Sequence, residues 1–331
     1  MINGEKKIIC NMNRFLPIIF IIIFSCQDST EKYEYIEKDE KFRAQVLKNN
    51  PGNYAELSNG FTYYQEANLN SDKGNIVLVH GFSVPSYIME TTFNSIREKG
   101  YRVLIMDLYG RGFSDNPGLP QTDELRAIQV IELMDYLNIK NASMVGLSNG
   151  GRIISKIADL NPEMVTALFY IASSGFISYE EIEDKSVSDK EIEELISTYP
   201  EMAKGQVNDF FQPDQYPDWE DKYKVLQKYK GFAKALLSTN KNLISLDDVH
   251  NRIDSLRIPV YTFWGEFDDV VIYDEFQDNL EKVYPNRKEF FISNSGHLPH
   301  LENQEEFENI FFKYISICLL YTSPSPRDGS E

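Results

Sequence analysis

Short apolar runs alternate with longer stretches of helical spacing through the middle of this chain. Residues 76–79 (Ile-Val-Leu-Val), 103–106 (Val-Leu-Ile-Met) and 142–145 are runs of this kind, each ending in Gly, Asp or His. A strand buried on both faces does not alternate apolar with polar, so these runs predict parallel strands. Further strands are expected at 167–171, 260–264 and 289–292. Between them, 86–99 and 122–137 carry apolar residues at helical spacing, and Thr122 followed by Asp123 and Glu124 is a helix start. Regular alternation of the two element types predicts a doubly wound α/β core with a mostly parallel sheet. Residues 54–57 and 61–65, split by Ser58-Asn59-Gly60, read as an antiparallel hairpin at its edge.

The alternation breaks between 176 and 231, where Glu-, Asp- and Lys-rich helical stretches are interrupted by Pro213 and Pro217. An inserted helical cap over the site is expected there. The core is then 51–175 together with 232–317.

The ends read differently. Lys6, Lys7 and Arg14 precede about ten mostly apolar residues, 15–24, then Ser25-Cys26. A membrane span needs roughly 20, so 1–25 reads as a signal peptide. Ile23-Phe24-Ser25-Cys26 resembles a bacterial lipobox, which implies lipidation of Cys26 and a membrane-anchored lipoprotein of the cell envelope. An uncleaved anchor or an ordinary secretory signal, giving a secreted or periplasmic protein, is the alternative, and Met12 is a second possible start. Residues 26–50 are rich in charge and poor in aliphatics, and read as a polar tether. At the other end, 318–331 resembles the translation of a sequencing adaptor read in frame, so the natural sequence is expected to stop near Ile317; a short natural tail is the alternative.

Composition narrows the function. A net charge of −18 over 331 residues argues against nucleic acid and anionic head groups as electrostatic partners and favours a neutral small molecule. The three cysteines lie at 10, 26 and 318, so neither a disulfide framework nor a zinc cluster can be built inside the domain, and no cofactor is implied. Only His80, His250, His297 and His300 can supply an imidazole.

Gly146-Leu147-Ser148-Asn149-Gly150 matches G-x-S-x-G directly after an apolar run and before the helical stretch 152–160. The turn must be sharp, and the exposed hydroxyl sits at a helix N-terminus, where developing negative charge is favoured. A serine hydroxyl is a weak nucleophile at neutral pH and needs a base held in one tautomer by a carboxylate. Asp268 and His297 follow in that order, each just beyond an expected strand, on the edge where open α/β sheets bind ligands.

Residues 146–151, 265–268 and 296–302 together resemble the signature blocks of the α/β-hydrolase family, over roughly 54–314. The resemblance implies a catalytic triad of Ser148, Asp268 and His297. Asp269 is the rival acid and His300 the rival histidine; His300 otherwise reads as a packing residue and His250 as a helix-surface one. His80-Gly81-Phe82-Ser83 resembles the family's oxyanion loop, which implies backbone N–H donors at Phe82 and Asn149, with His80 structural. Asp107 and Arg111, in a further family block, are read as loop-fixing. Relatives that cleave halides or epoxides carry aspartate at the elbow, so Ser148 implies acyl transfer. The resemblance to lipases and monoacylglycerol-lipase-type enzymes implies a carboxylic ester substrate with an apolar acyl chain. A carbon–carbon (diketone) hydrolase, a cofactor-free perhydrolase, or a non-catalytic binding protein of the same fold are the alternatives.

Overall fold

The computed structural model describes residues 32–322, with side chains to 318. The signal segment and Cys26 lie outside the described residues. Eight strands form one sheet: β1 (Asn53–Leu57), β2 (Gly60–Ala67), β3 (Asn75–Val79), β4 (Arg102–Met106), β5 (Ala142–Leu147), β6 (Val165–Ile171), β7 (Val260–Gly265) and β8 (Lys288–Ile292). Their spatial order is β1-β2-β4-β3-β5-β6-β7-β8, antiparallel at the β1–β2–β4 end and parallel from there on. Between β3 and β5 the winding reverses direction, and the nucleophile candidate follows β5.

Alternate side chains of each strand serve opposite faces. Val77, Met144, Leu168 and Trp264 meet α3 (Asp123–Tyr136), α4 (Asn149–Leu160), α9 (Asp247–Ser255) and α10 (Gln277–Val283). Leu78, Val145, Phe169 and Phe263 meet α2 (Glu90–Glu98) and α12 (Gln304–Thr322), the latter led in by the short α11 (Pro299–Glu302). Both faces being covered is why the strands read as unbroken apolar runs. Thr122 does cap α3, its hydroxyl accepting from Leu125 N–H at 3.0 Å.

Between β6 and β7 the chain leaves the sheet for α5 (Asp189–Ser197), α6 (Tyr199–Gly205), α7 (Trp219–Leu226) and α8 (Phe232–Lys241). The packing runs on past 231: Phe232 of α8 lies edge-on against Tyr199 and Tyr223 of the preceding helices. Gly231, at φ 82°, starts α8 and does not close the cap.

The segment expected to be a tether is docked from residue 33 onward. Glu34 accepts from the N–H groups of Gly231 (2.9 Å) and Ala233 (2.6 Å) and from the Tyr199 hydroxyl (2.5 Å), satisfying donors at the start of α8. Ile36 bridges Tyr229, and α1 (Glu40–Asn49) turns Phe42 toward Phe113 and Tyr229 while Val46 is buried. A segment too polar for a core of its own can still lay a few residues onto an existing surface. α12 likewise continues beyond Ile317 to Thr322, with Cys318 buried and its thiol 3.3 Å from the Tyr261 hydroxyl. Among the described residues, no helix is long and apolar enough to cross a membrane.

Candidate active site

Ser148 stands between the end of β5 and the first turn of α4 with φ 51° and ψ −117°, a conformation costly for a residue with a side chain. The flanking glycines make it possible: a Cβ on Gly146 would lie 2.6 Å from Gly150 O, and one on Gly150 would lie 2.2 Å from Val79 O. Ser148 N–H is spent on Ile171 O at 2.8 Å. Asn149 N–H opens α4 and so has no partner within its helix. Gly81 of the loop after β3 is packed against Ser148, a Cβ there falling 3.3 Å from the serine Cβ, which puts neighbouring Phe82 at the same edge.

Asp268 leaves the end of β7 and His297 the loop beyond β8. Asp268 Oδ2 is 2.9 Å from His297 Nδ1, and both side chains are almost fully buried. The second carboxylate oxygen accepts from Val270 and Val271 N–H, each at 2.9 Å, which fixes its orientation. Gly265 allows the two loops to meet, since a Cβ there would be 1.8 Å from Gly296 O. Asp269 is exposed. Among the described residues the side-chain hydrogen bond of the imidazole is the one to Asp268.

Electrostatics separates the four histidines. Burial pushes His80 and His250 down to about 3 and His300 to about 4, leaving them neutral. His80 Nε2 accepts from Leu108 N–H, and His300 Nε2 lies 2.9 Å from Ile88 O. His250, expected on a helix surface, is buried against Phe176 with Nε2 3.1 Å from Ser155 Oγ, because α9 turns it toward α4. Burial also opposes charge on His297, but Asp268, through its charge and hydrogen bond, with Asp209 and Glu302 behind it, raises His297 above its ordinary value.

Two carboxylates without an assigned role in the sequence, Asp209 and Glu302, also meet the histidine loop. The Asp209 carbonyl accepts from His297 N–H at 2.8 Å, so the cap holds the histidine by its backbone. Glu302 accepts from Gly296, Phe211 and Gln212 N–H, joining the histidine loop to the cap. Burial pushes the Asp209 carboxyl up to about 6, against the pull of His297. Asp107 accepts from Ser86 and Phe113 N–H, fixing the loop after β4. The cap lies low: Ser148 is 9% and His297 5% exposed. A groove of about 530 Å³ beside Lys38 and Asp115 and a cavity of about 280 Å³ beside Tyr87 and Asp107 are lined by neither residue. Among the described residues, no group of three or more His, Cys, Asp or Glu side chains is gathered to hold a metal ion.

A strained serine at the winding reversal and a carboxylate-bound histidine thus stand at the same edge of a doubly wound sheet. Residues 74–304 match the α/β hydrolase fold family, and the chain belongs to it. It is 27% identical over 257 residues to a pimeloyl-[acyl-carrier protein] methyl ester esterase of Aliivibrio fischeri, covering 74% of this chain and 93% of that protein. It is 26% identical to Lipase 1 of Psychrobacter immobilis, covering 73% and 77%. Among solved structures, an esterase from Exiguobacterium antarcticum superposes with a TM-score of 0.66 at 20% identity, over 80% of this chain and 99% of that one.

Proposed function

We propose that this protein is a serine esterase that works through an acyl-enzyme. An ester-bond hydrolase is what the family and its named esterase and lipase relatives support. The observation that carries the finer reading is the backbone strain at Ser148, since an ordinary Gly-Ser turn has no need of positive φ at a serine.

In this reading His297 Nε2 takes the Ser148 proton as Oγ attacks the ester carbonyl. Asp268 holds Nδ1–H and stabilises the imidazolium, and Phe82 and Asn149 N–H receive the oxyanion. His297 then returns the proton to the departing alcohol, and water repeats the sequence to release the acid. The cap's aromatic group, Phe210 packed on Tyr216 and Trp219, adjoins Asp209, whose carbonyl holds His297, and supports an apolar acyl chain of the kind monoacylglycerol-lipase-type enzymes take. The chain's negative charge favours a neutral ester.

Incubation with a fluorophosphonate probe and a graded p-nitrophenyl ester series, beside Ser148→Ala, tests the chemistry. Labelling and turnover lost in the variant are expected, with longer acyl chains preferred; a folded protein that neither labels nor hydrolyses would overturn the reading. We further propose lipidation at Cys26 and attachment to a bacterial envelope membrane. Metabolic incorporation of an alkynyl fatty acid should be abolished by Cys26→Ser, and incorporation unaffected by the substitution would refute it.

A further inference from the structure

Three arginines, Arg111, Arg126 and Arg152, are almost completely buried. Arg152 has a carboxylate partner, Asp123 Oδ2 at 2.8 Å. Arg111 and Arg126 have none within ion-pair distance among the described residues. They instead converge on one neutral oxygen, Thr239 Oγ1, at 3.0 and 2.5 Å, and Arg126 also donates to Gln121 Oε1 at 3.4 Å with the Asp123 charge nearby. Two like charges in the interior, sharing a hydroxyl, are costly to fold, which makes an ordinary packing role a poor account of them.

The second partner of Arg111 points to another role. Its Nε donates to the carbonyl of Phe82 at 2.5 Å, and the guanidinium lies 5.5 Å from the centre of the Phe82 ring. Nη1 donates to Gly110 O at 3.2 Å, anchoring the side chain to its own loop. Burial and then the charge of Arg126 hold its pKa well below the ordinary arginine value, with the Tyr223 and Tyr199 phenols partly offsetting this. A guanidinium delocalises its charge over three nitrogens and stays protonated inside proteins.

We propose that Arg111 is a positioning residue for the oxyanion loop. It locks the Phe82 main chain, and its unneutralised charge, reinforced by Arg126, stabilises the negative charge that develops on the substrate carbonyl oxygen. The inference rests on the serine-esterase reading above. A fixed cation behind a water-excluded site acts far more strongly on developing charge than it would in solvent, and it favours the intermediate over the neutral ester.

The test compares wild type, Arg111→Gln and Arg111→Lys by steady-state hydrolysis and by binding of two inhibitors. One is an alkyl boronic acid, which forms an anionic tetrahedral adduct with the serine; the other is a neutral, non-hydrolysable ether analogue of the ester. Arg111→Gln is expected to lose about 100-fold in kcat with KM within about threefold, and boronate affinity should fall in parallel while ether affinity holds. Arg111→Lys, which keeps the charge and loses the fork, should recover about tenfold of that loss.

Boronate and ether affinities falling together would mark a merely structural role and overturn the proposal, as would a folded Arg111→Gln within threefold of wild-type kcat. If Arg111→Gln does not fold, Arg111→Lys decides alone: a roughly tenfold loss of kcat and boronate affinity at unchanged ether affinity supports the proposal, and wild-type values refute it. Failure of the underlying reading is distinguished by wild type itself, which would then neither hydrolyse ester nor label with fluorophosphonate.

Discussion

Replacing Asp268 by Asn leaves the shape of the site almost unchanged and should still disable it. One carboxylate oxygen accepts two backbone N–H groups, from Val270 and Val271, and the other faces His297 Nδ1. An asparagine in that place must keep its carbonyl on the two N–H donors, because the flipped amide would set NH2 against them inside a nearly closed site. Its amide N–H then faces Nδ1, which has to accept. The imidazole is driven to the tautomer with its proton on Nε2, the atom that would have to take the serine proton. A wrong-tautomer histidine costs on the order of 10⁴ in kcat, about 5 kcal/mol of barrier. Both backbone hydrogen bonds survive, so the melting temperature should move by only a few degrees. The assay is kcat on a p-nitrophenyl ester, with Asp269→Asn as control, expected within about threefold of wild type because that carboxylate is exposed. A folded Asp268→Asn enzyme within tenfold of wild type would refute the reasoning, and a large loss in Asp269→Asn would transfer the role to the neighbouring acid.

Three further outcomes follow from the same geometry. His297 has a raised pKa, so kcat/KM should fall as pH drops through a value above 6.5, where the base becomes protonated. Its contribution to stability has the opposite sense, being fully present below the unfolded-state value and lost as pH rises through the folded one, which paired rate and denaturation profiles would register. Asp123→Ala strands the buried Arg152 charge, at a cost of about 3–5 kcal/mol, or a fall of roughly 5–8 °C in melting temperature for a unit of this size, readable by calorimetry; a change under about 1 kcal/mol would contradict the burial argument. Gly265→Ala drives a methyl into Gly296 O and parts the loops carrying Asp268 and His297, so kcat should fall by about 100-fold or more, and near-wild-type turnover would mean that the two loops give way freely.

Much of the core was legible because its signals are local. Buried parallel strands such as β3 and β5 announce themselves as apolar runs, and Gly146 and Gly150 bracket Ser148 at a spacing that only a sharp strand-to-helix turn requires. Contacts between segments distant along the chain left no such trace. Nothing periodic marks Glu302 as the acceptor for Phe211 and Gln212, or Asp209 as the carbonyl under His297. The charge that made residues 26–50 look unfoldable includes Glu34, which satisfies donors at a helix start and so belongs to the packing. His250 is buried against expectation because the few apolar residues of α9 do not reveal which way the helix faces.

That docking of the N-terminal segment has a mechanical side. Glu34 and Ile36 fasten the incoming chain to Tyr229, Lys230 and Gly231, between α7 and α8, and to Ala233 in the first turn of α8. A load applied upstream of Tyr33 therefore arrives first at the roof and only afterwards, through α1 and β1, at the sheet. The sheet is shielded as a ship's hull is by its mooring bollard. Tension on that segment would be felt as a tug on the cap, whose Asp209 carbonyl holds His297, before any strand is disturbed.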